Sequence, residues 1–519
     1  MMMRSGNESR MFGMVGLSAL AAALLSGTPA RAQDLTPRVG PQTRPIVLTR
    51  VDVYPVDAPM IADGAVIFDG GKIAWVGPRS ALRAPTNAQL IEEPLDREHA
   101  DARLRVYPGL ISAFTRIGLE EIGALRPSAD IRETGDVKPE VIAATAVNPD
   151  SWLMPVARTN GVLAFGVFPS GGSIPGHASV ISADGWTVED ITVVRDAGLV
   201  VAWPYLRVVR ASWMDQNDEE QSKRIRESQE RIASAFKTAR AYIAGKDADA
   251  GALTDLRWEG MRSVLGPARD AGAKAAPDAK AAEPRSGSAK PAQGKTAEAQ
   301  AADFKRTIGD GRKITFIEAQ EYDQIIAAVA LARREHLRLV LIGGRDAVHA
   351  AQPINDIGAK VMVNSVITMP RRDDSPYDEF FSLPARLKDA GIPFCIASGE
   401  ETPHERNLPY AAALAAGHGL ANADALRAVT LSAAECLGAE QHLGSITPGK
   451  DATLIVTDGD PLDVQTRTLS AYILGRPIDL SNKQTVLAAK YREKYRQMKE
   501  EGKKKGNGEQ GTGNGEEKK

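Results

Sequence analysis

Between Ile46 and Gly77 the apolar positions fall into short runs separated by turn residues. Ala65-Val66-Ile67-Phe68 and Ile73-Ala74-Trp75-Val76 flank Asp69-Gly70-Gly71-Lys72, a hairpin signal because the two glycines accept the positive φ of a tight turn. Near the other end, Leu454-Ile455-Val456 and Ala471-Tyr472-Ile473-Leu474 predict strands whose connection contains Asp458-Gly459-Asp460-Pro461. The long middle has a different rhythm. Strands at Ile314–Ile317, Leu339–Ile342, Lys360–Val363 and around Phe394 alternate with helical patterns, among them Tyr322–Glu335 with Ile325, Ile326, Val329 and Ala330 on one face, and Arg345–Ile357. Such alternation predicts parallel βαβ units, which close into a (β/α)₈ barrel with its site at the C-terminal strand ends. Asp215–Ala244 predicts a charged helix laid on the barrel exterior by a stripe of Ile225, Ile232, Phe236 and Ile243.

Composition refines this picture at the ends and in one insertion. Arg4 and Arg10, the apolar run Met11–Leu25 and the small-x-small step Ala30-Arg31-Ala32 predict a cleaved signal peptide over residues 1–32. The run is shorter than the roughly 20 residues a membrane span needs. The expectation is therefore a periplasmic or secreted protein with no membrane span after cleavage. Gly266–Ala302 is rich in Ala, Lys, Pro, Gly and Ser and predicts a disordered excursion, as does the charged tail after Met498. Lys+Arg total 64 against Asp+Glu 66, so the balance gives no sign of a nucleic-acid partner. Cys395, in an apolar strand, and Cys436, late in a helical pattern, are the only cysteines; they read as buried thiols, with a bridge left open.

Four segments carry a resemblance. Gly64–Gly77, Val106-Tyr107-Pro108-Gly109-Leu110-Ile111-Ser112-Ala113, Thr430–Gly438 and Leu443–Leu454 follow one another in the order found in the amidohydrolase superfamily. Asn160–Phe165, followed by Pro169-Ser170-Gly171-Gly172, resembles the imidazolonepropionase-like branch. The resemblance implies an α/β fold: a TIM-like barrel over residues 106–442, interrupted at 266–302, with a composite β-sandwich from residues 33–105 and 443–482. Residues 483–519 then form a helical end and a charged tail. It also implies hydrolysis of C–N bonds by a metal-held hydroxide. The metal lowers the pKa of water from about 15.7 towards about 7 and polarises the carbonyl.

The residues expected to hold that metal are replaced. The family's His-x-His falls on Phe114 and Arg116, and the histidines after the next two relevant strands fall on Glu318 and Gly343. Phenylalanine has no donor atom, and a guanidinium repels a divalent cation. No cofactor is therefore expected, and zinc only if the site is rebuilt. Glu400, near the family's aspartate, joins Glu318 and Arg116 as candidate catalytic groups at the mouth, where they form either an inert ion-pair plug or a base. Ser170, Gly171, Gly172 and His177 are candidate substrate contacts; the first three form either an anion nest or a tight turn. No Gly-x-Ser-x-Gly elbow or phosphate loop occurs. The chain thus reads as a metal-free binding protein or pseudoenzyme for a small molecule, or else a C–N hydrolase working through Glu318 and Glu400. A homo-oligomer is compatible with the resemblance.

Overall fold

The Asp69–Lys72 turn forms as the pattern requires. Gly70 and Gly71 take φ of 54° and 81°, and Asp69 pairs with Lys72 across the hairpin. This computed structural model describes residues 38–92, 103–210, 214–266, 311–399 and 401–509. Residues 1–37, most of the 266–302 stretch, Glu400 and the end of the tail lie outside them. The hairpin belongs to a sheet of eight strands: β1 (Ile46–Val53), β2 (Ile61–Asp69), β3 (Lys72–Pro78), β4 (Gln89–Glu92), β5 (Arg105–Pro108) and, from the far end of the chain, β14 (Leu454–Thr457), β15 (Thr468–Ile473) and β16 (Arg476–Pro477). The two halves join where β14 runs antiparallel to β5, pairing Ile455 with Tyr107. The sheet also meets itself at its rim, where Ala452 donates to the Gly71 carbonyl and Ile73 to that of Lys450. Leu48, Val66, Phe68, Leu454, Val456 and Tyr472 fill the core this encloses.

Val106-Tyr107-Pro108 leads directly into the second sheet. Its strands are β6 (Leu110–Thr115), β7 (Val162–Val167), β8 (Gly176–Ser182), β9 (Thr192–Ala202), β10 (Ile314–Ala319), β11 (Arg338–Gly343), β12 (Lys360–Val363) and β13 (Phe394–Ile396), paired in that order. They make a TIM-like barrel. Its inner face is apolar, built from Ile111, Ala164, Val200, Phe316, Val340, Met362 and Cys395, and the outer face packs against the helices.

Two features depart from an ideal eightfold βα repeat. Strand β8 runs antiparallel to both neighbours, so β7, β8 and β9 form a meander inside an otherwise parallel barrel. Its seven residues are all buried, so no polar face betrays its direction. The other feature is a seam between β6 and β13, which share no main-chain ladder. There the Ile111 amide donates instead to the Val429 carbonyl, and Ser112 and Ser398 face one another with their Oγ atoms 3.2 Å apart.

The helix Asp218–Ala248 lies on the barrel through Ile232, Ala235, Phe236, Ala239 and Ile243, starting at an Asn217–Glu220 capping box. The terminal helix runs from Lys483 to Glu509, past the expected break at Met498. Lys and Glu favour helix, and Arg496 pairs with both Glu493 and Glu500 on one face. Cys395 and Cys436 are both buried and reduced. Burial, reinforced by the neighbouring Cys436 thiol, pushes the Cys395 thiol well above its ordinary value.

Candidate functional site at the barrel mouth

Beyond the C-terminal ends of β9 to β13 the connections leave a cavity of about 1300 Å³. Phe114 and Ile342 line it from the barrel interior, Trp203 and Tyr205 from the chain after β9, and Asn364 and Ser365 from the chain after β12.

One wall is a cluster of carboxylates and guanidiniums. Glu321 caps the helix Tyr322–Glu335 and is 4% exposed. Its carboxylate accepts from the Tyr205 hydroxyl at 3.0 Å and from Arg345, and faces Arg207 Nε at 3.0 Å. Arg372 holds Asp346 with two bonds, of 3.1 and 2.6 Å. Burial raises the Asp346 pKa, but Arg372, the Tyr322 amide and Arg345 outweigh it and hold the carboxylate below its usual range. Burial also raises the Tyr205 phenol, and its bond to Glu321 adds to this. The buried Arg345 keeps Nε without a hydrogen-bond acceptor. Arg371, exposed on the same wall, has no ion-pair partner among the described residues. These groups arise from loops and helix starts, where charged residues carry no periodic signal, and the sequence reading missed them.

The residues singled out from the sequence divide. Glu318, on the inner side of β10, lines the cavity, as does Phe114. Phe114 packs on Phe168, which in turn meets Phe316 edge-on, both pairs at centroid distances of 4.9 Å. Gly343 ends β11 with φ 103°, and a Cβ there would lie 2.1 Å from the Gln320 amide nitrogen. Gln320 occupies the space a larger side chain would need. Glu400 lies outside the described residues.

Other placements correct the expectation. Arg116 is half-buried and not on the cavity wall. The β6–β7 register slips between Ser112 and Thr115, and the chain then turns so that Leu119 and Glu120 donate to the Arg116 carbonyl. His177 faces outward, on the same side of the sheet as its partner Leu199, because β8 alternates with Ala178 and Val180 inward. Its Nδ1 is 2.7 Å from Asp196, which also pairs with Lys313. Ser170, Gly171 and Gly172 form the tight turn rather than an anion nest. Ser170 donates its amide to Ile131, the Gly171 carbonyl accepts from Lys138, and a Cβ at Gly172 would lie 2.5 Å from the Asp136 carbonyl.

A further group stands at the seam. Ser398, just after β13, is part-exposed to the cavity and donates to Glu405 Oε2 at 2.5 Å. Glu405, in the short 3₁₀ helix Thr402–Asn407, is 1% exposed. Burial pushes its carboxyl up to about 7, against the opposing pull of the Ser112, Ser398 and Thr115 hydroxyls. The Ser398 bond to Oε2 is its best-formed hydrogen bond, and Oε1 makes none of good geometry.

The divalent-metal centre that the resemblance implies does not fit these side chains. Phe114 and Gly343 offer no donor, and among the described residues no three His, Cys, Asp or Glu side chains are gathered to hold a metal.

The model of the amidohydrolase family matches residues 209–489. An amidohydrolase of known structure from Thermotoga maritima is 21% identical, covering 84% of this chain and 99% of that one, with a TM-score of 0.64. That likeness speaks for the fold. A putative prolidase from Bifidobacterium longum is 14% identical over 86% of this chain and 99% of its own, at 0.42. An adenosine deaminase from Xanthomonas campestris with bound zinc is 16% identical over 89% and 100%, at 0.39. No curated protein matches the chain.

Proposed function

Taking as premise that the chain belongs to the amidohydrolase family, we propose that it is an exported, metal-independent member whose barrel mouth binds a small polar molecule. The observation that carries this reading is the contrast inside the mouth. Where the family pattern calls for histidines, Phe114 is packed among aromatic rings and Gly343 makes room for Gln320, yet the cavity of about 1300 Å³ outside them stays open. Its lining mixes Trp203, Tyr205 and Phe380 with guanidiniums, carboxylates and amides. Apolar walls with a few placed polar groups are how ligand sites combine affinity with orientation.

A second reading draws on Glu318, which does line the cavity. It would act with Glu400 as acid and base in C–N bond hydrolysis without metal. Losing the Lewis acid removes several kcal/mol of transition-state stabilisation, so this reading needs a substitute for the metal-held hydroxide.

The test is metal content and ligand binding of the mature chain from Gln33, purified with zinc, manganese and iron supplied. The expected result is well under one equivalent of any divalent metal, together with a thermal shift from at least one small polar compound that Arg345→Gln removes. A full equivalent of tightly held metal would overturn the reading. Glu318→Gln separates the two readings, since binding survives it and carboxylate-based turnover does not.

A further inference from the structure

We infer that Ser398 is an acyl-accepting nucleophile and Glu405 its general base, so that the mouth takes carbonyl compounds, amides or esters, as substrates. This goes beyond binding and rests on the reading of the cavity as a small-molecule site.

Several observations meet at one place. Ser398 lines the cavity, and its Oγ donates to Glu405 at 2.5 Å, close enough for a base to take the hydroxyl proton directly. Glu405 is 1% exposed and sits among hydroxyls, where burial favours its protonated form. A carboxylate that holds a proton at near-neutral pH is a stronger base than one in water. Ser112, across the seam, places its Oγ 3.2 Å from that of Ser398 and fixes the hydroxyl's position. Asn364 lines the same wall with its Oδ1 accepting from Gln320, which turns its side-chain NH2 into the donor for a developing oxyanion.

The step balances without metal or redox partner. Ser398 Oγ bonds to the carbonyl carbon as Glu405 takes its proton. The C–N or C–O bond then breaks, and the leaving group departs with that proton. Water next attacks the acyl-Ser398 ester, giving one proton to Glu405, which returns it to Ser398 Oγ as the acid leaves. The net reaction consumes one water per acyl group released.

The mature full chain is treated with 4-nitrophenyl acetate and, separately, with a fluorophosphonate, then read by intact mass and peptide mapping. The expected result is one adduct, on Ser398, lost in Ser398→Ala. Glu405→Gln should label about 100-fold more slowly. The wild-type labelling rate should rise with pH through about 7 as Glu405 ionises, and this rise should flatten in Glu405→Gln. Unchanged labelling in either variant, an adduct elsewhere, or none at all overturns the inference. Thermal melts report whether each variant folds. Should Ser398→Ala unfold, Ser398→Cys keeps a nucleophile at the position and should be alkylated by iodoacetamide faster than the buried Cys395 and Cys436; equal rates overturn the inference. A ligand that binds without any adduct sinks this inference alone. Labelling that no ligand in the screen protects against sinks the binding reading alone.

Discussion

Glu405 is a group whose environment makes a prediction separate from its chemistry. Its folded pKa of about 7 lies above the ordinary 4.5, so the folded state favours the protonated form. That contribution is fully present below pH 4.5 and is lost as pH rises to about 7, because the unfolded chain gives up the proton first. Glu405→Gln is neutral at every pH and escapes this loss. The variant should therefore gain on the parent between these limits, by up to about 3 kcal/mol at pH 8 relative to pH 4.5. Urea unfolding at the two pH values measures it, and a difference that does not change with pH would show that Glu405 is not held neutral. Gly343 shows the opposite kind of constraint. Its φ of 103° and the Gln320 amide both argue against a larger side chain there, which would have to displace Gln320 from its contact with Asn364.

Among the elements, the helix Asp218–Ala248 is held by its buried stripe, with ion pairs from Arg231 to Asp136 and from Arg240 to Glu335 beside it. Its surface carries charge and its buried stripe centres on Phe236, 0% exposed. Phe236→Ala should cost about 3–5 kcal/mol in chemical denaturation, while Lys237→Ala, on the exposed side, should fall within about 0.5 kcal/mol of the parent. That stripe was legible because a 3.6-residue period survives any tertiary setting, and Tyr322–Glu335 and Lys360–Val363 were legible at their true limits for a related reason. The family segments likewise marked the composite sheet and the barrel entry. What the sequence hid has physical causes. Strand β8 is buried on both faces, so its residues are the same whichever way it runs. His177 looked like a mouth residue only while β8 was unassigned. Ser398 and Glu405 appear as ordinary loop residues, since their pairing depends on a 3₁₀ turn, and the Ser112 that positions Ser398 comes from 286 residues away in the chain. Phe114 and Gly343 were legible only as side chains without donor atoms, since the sequence names the residue type but not what surrounds it.

At the scale of the whole molecule the two sheets share more than a linker. The composite sheet buries one face in its own core, but Ile455, Ala471 and Ile473 turn the other way and join the cluster that surrounds the barrel. Tyr107 belongs to the same cluster and stacks on Tyr54 at 4.5 Å, tying β1 to the barrel entry. The helix Met154–Arg158 adds a polar tie through Thr159, whose hydroxyl donates to the Leu480 carbonyl at 2.9 Å. A sheet assembled from both ends of the chain cannot complete itself until β14 reaches β5, which places the closing contacts about 350 residues apart. Neither sheet therefore has an independent reason to survive the loss of the other, and calorimetry should show a single unfolding transition. Ile455 tests the coupling most directly. It is fully buried, its Cδ1 would lie 2.9 Å from a Cβ at Gly161, and Ile455→Ala should destabilise the chain by about 2–5 kcal/mol. Because the barrel and the sheet are predicted to melt together, the variant should lower one transition without splitting it. Two resolved transitions in either protein would instead make the composite sheet a separately folding unit.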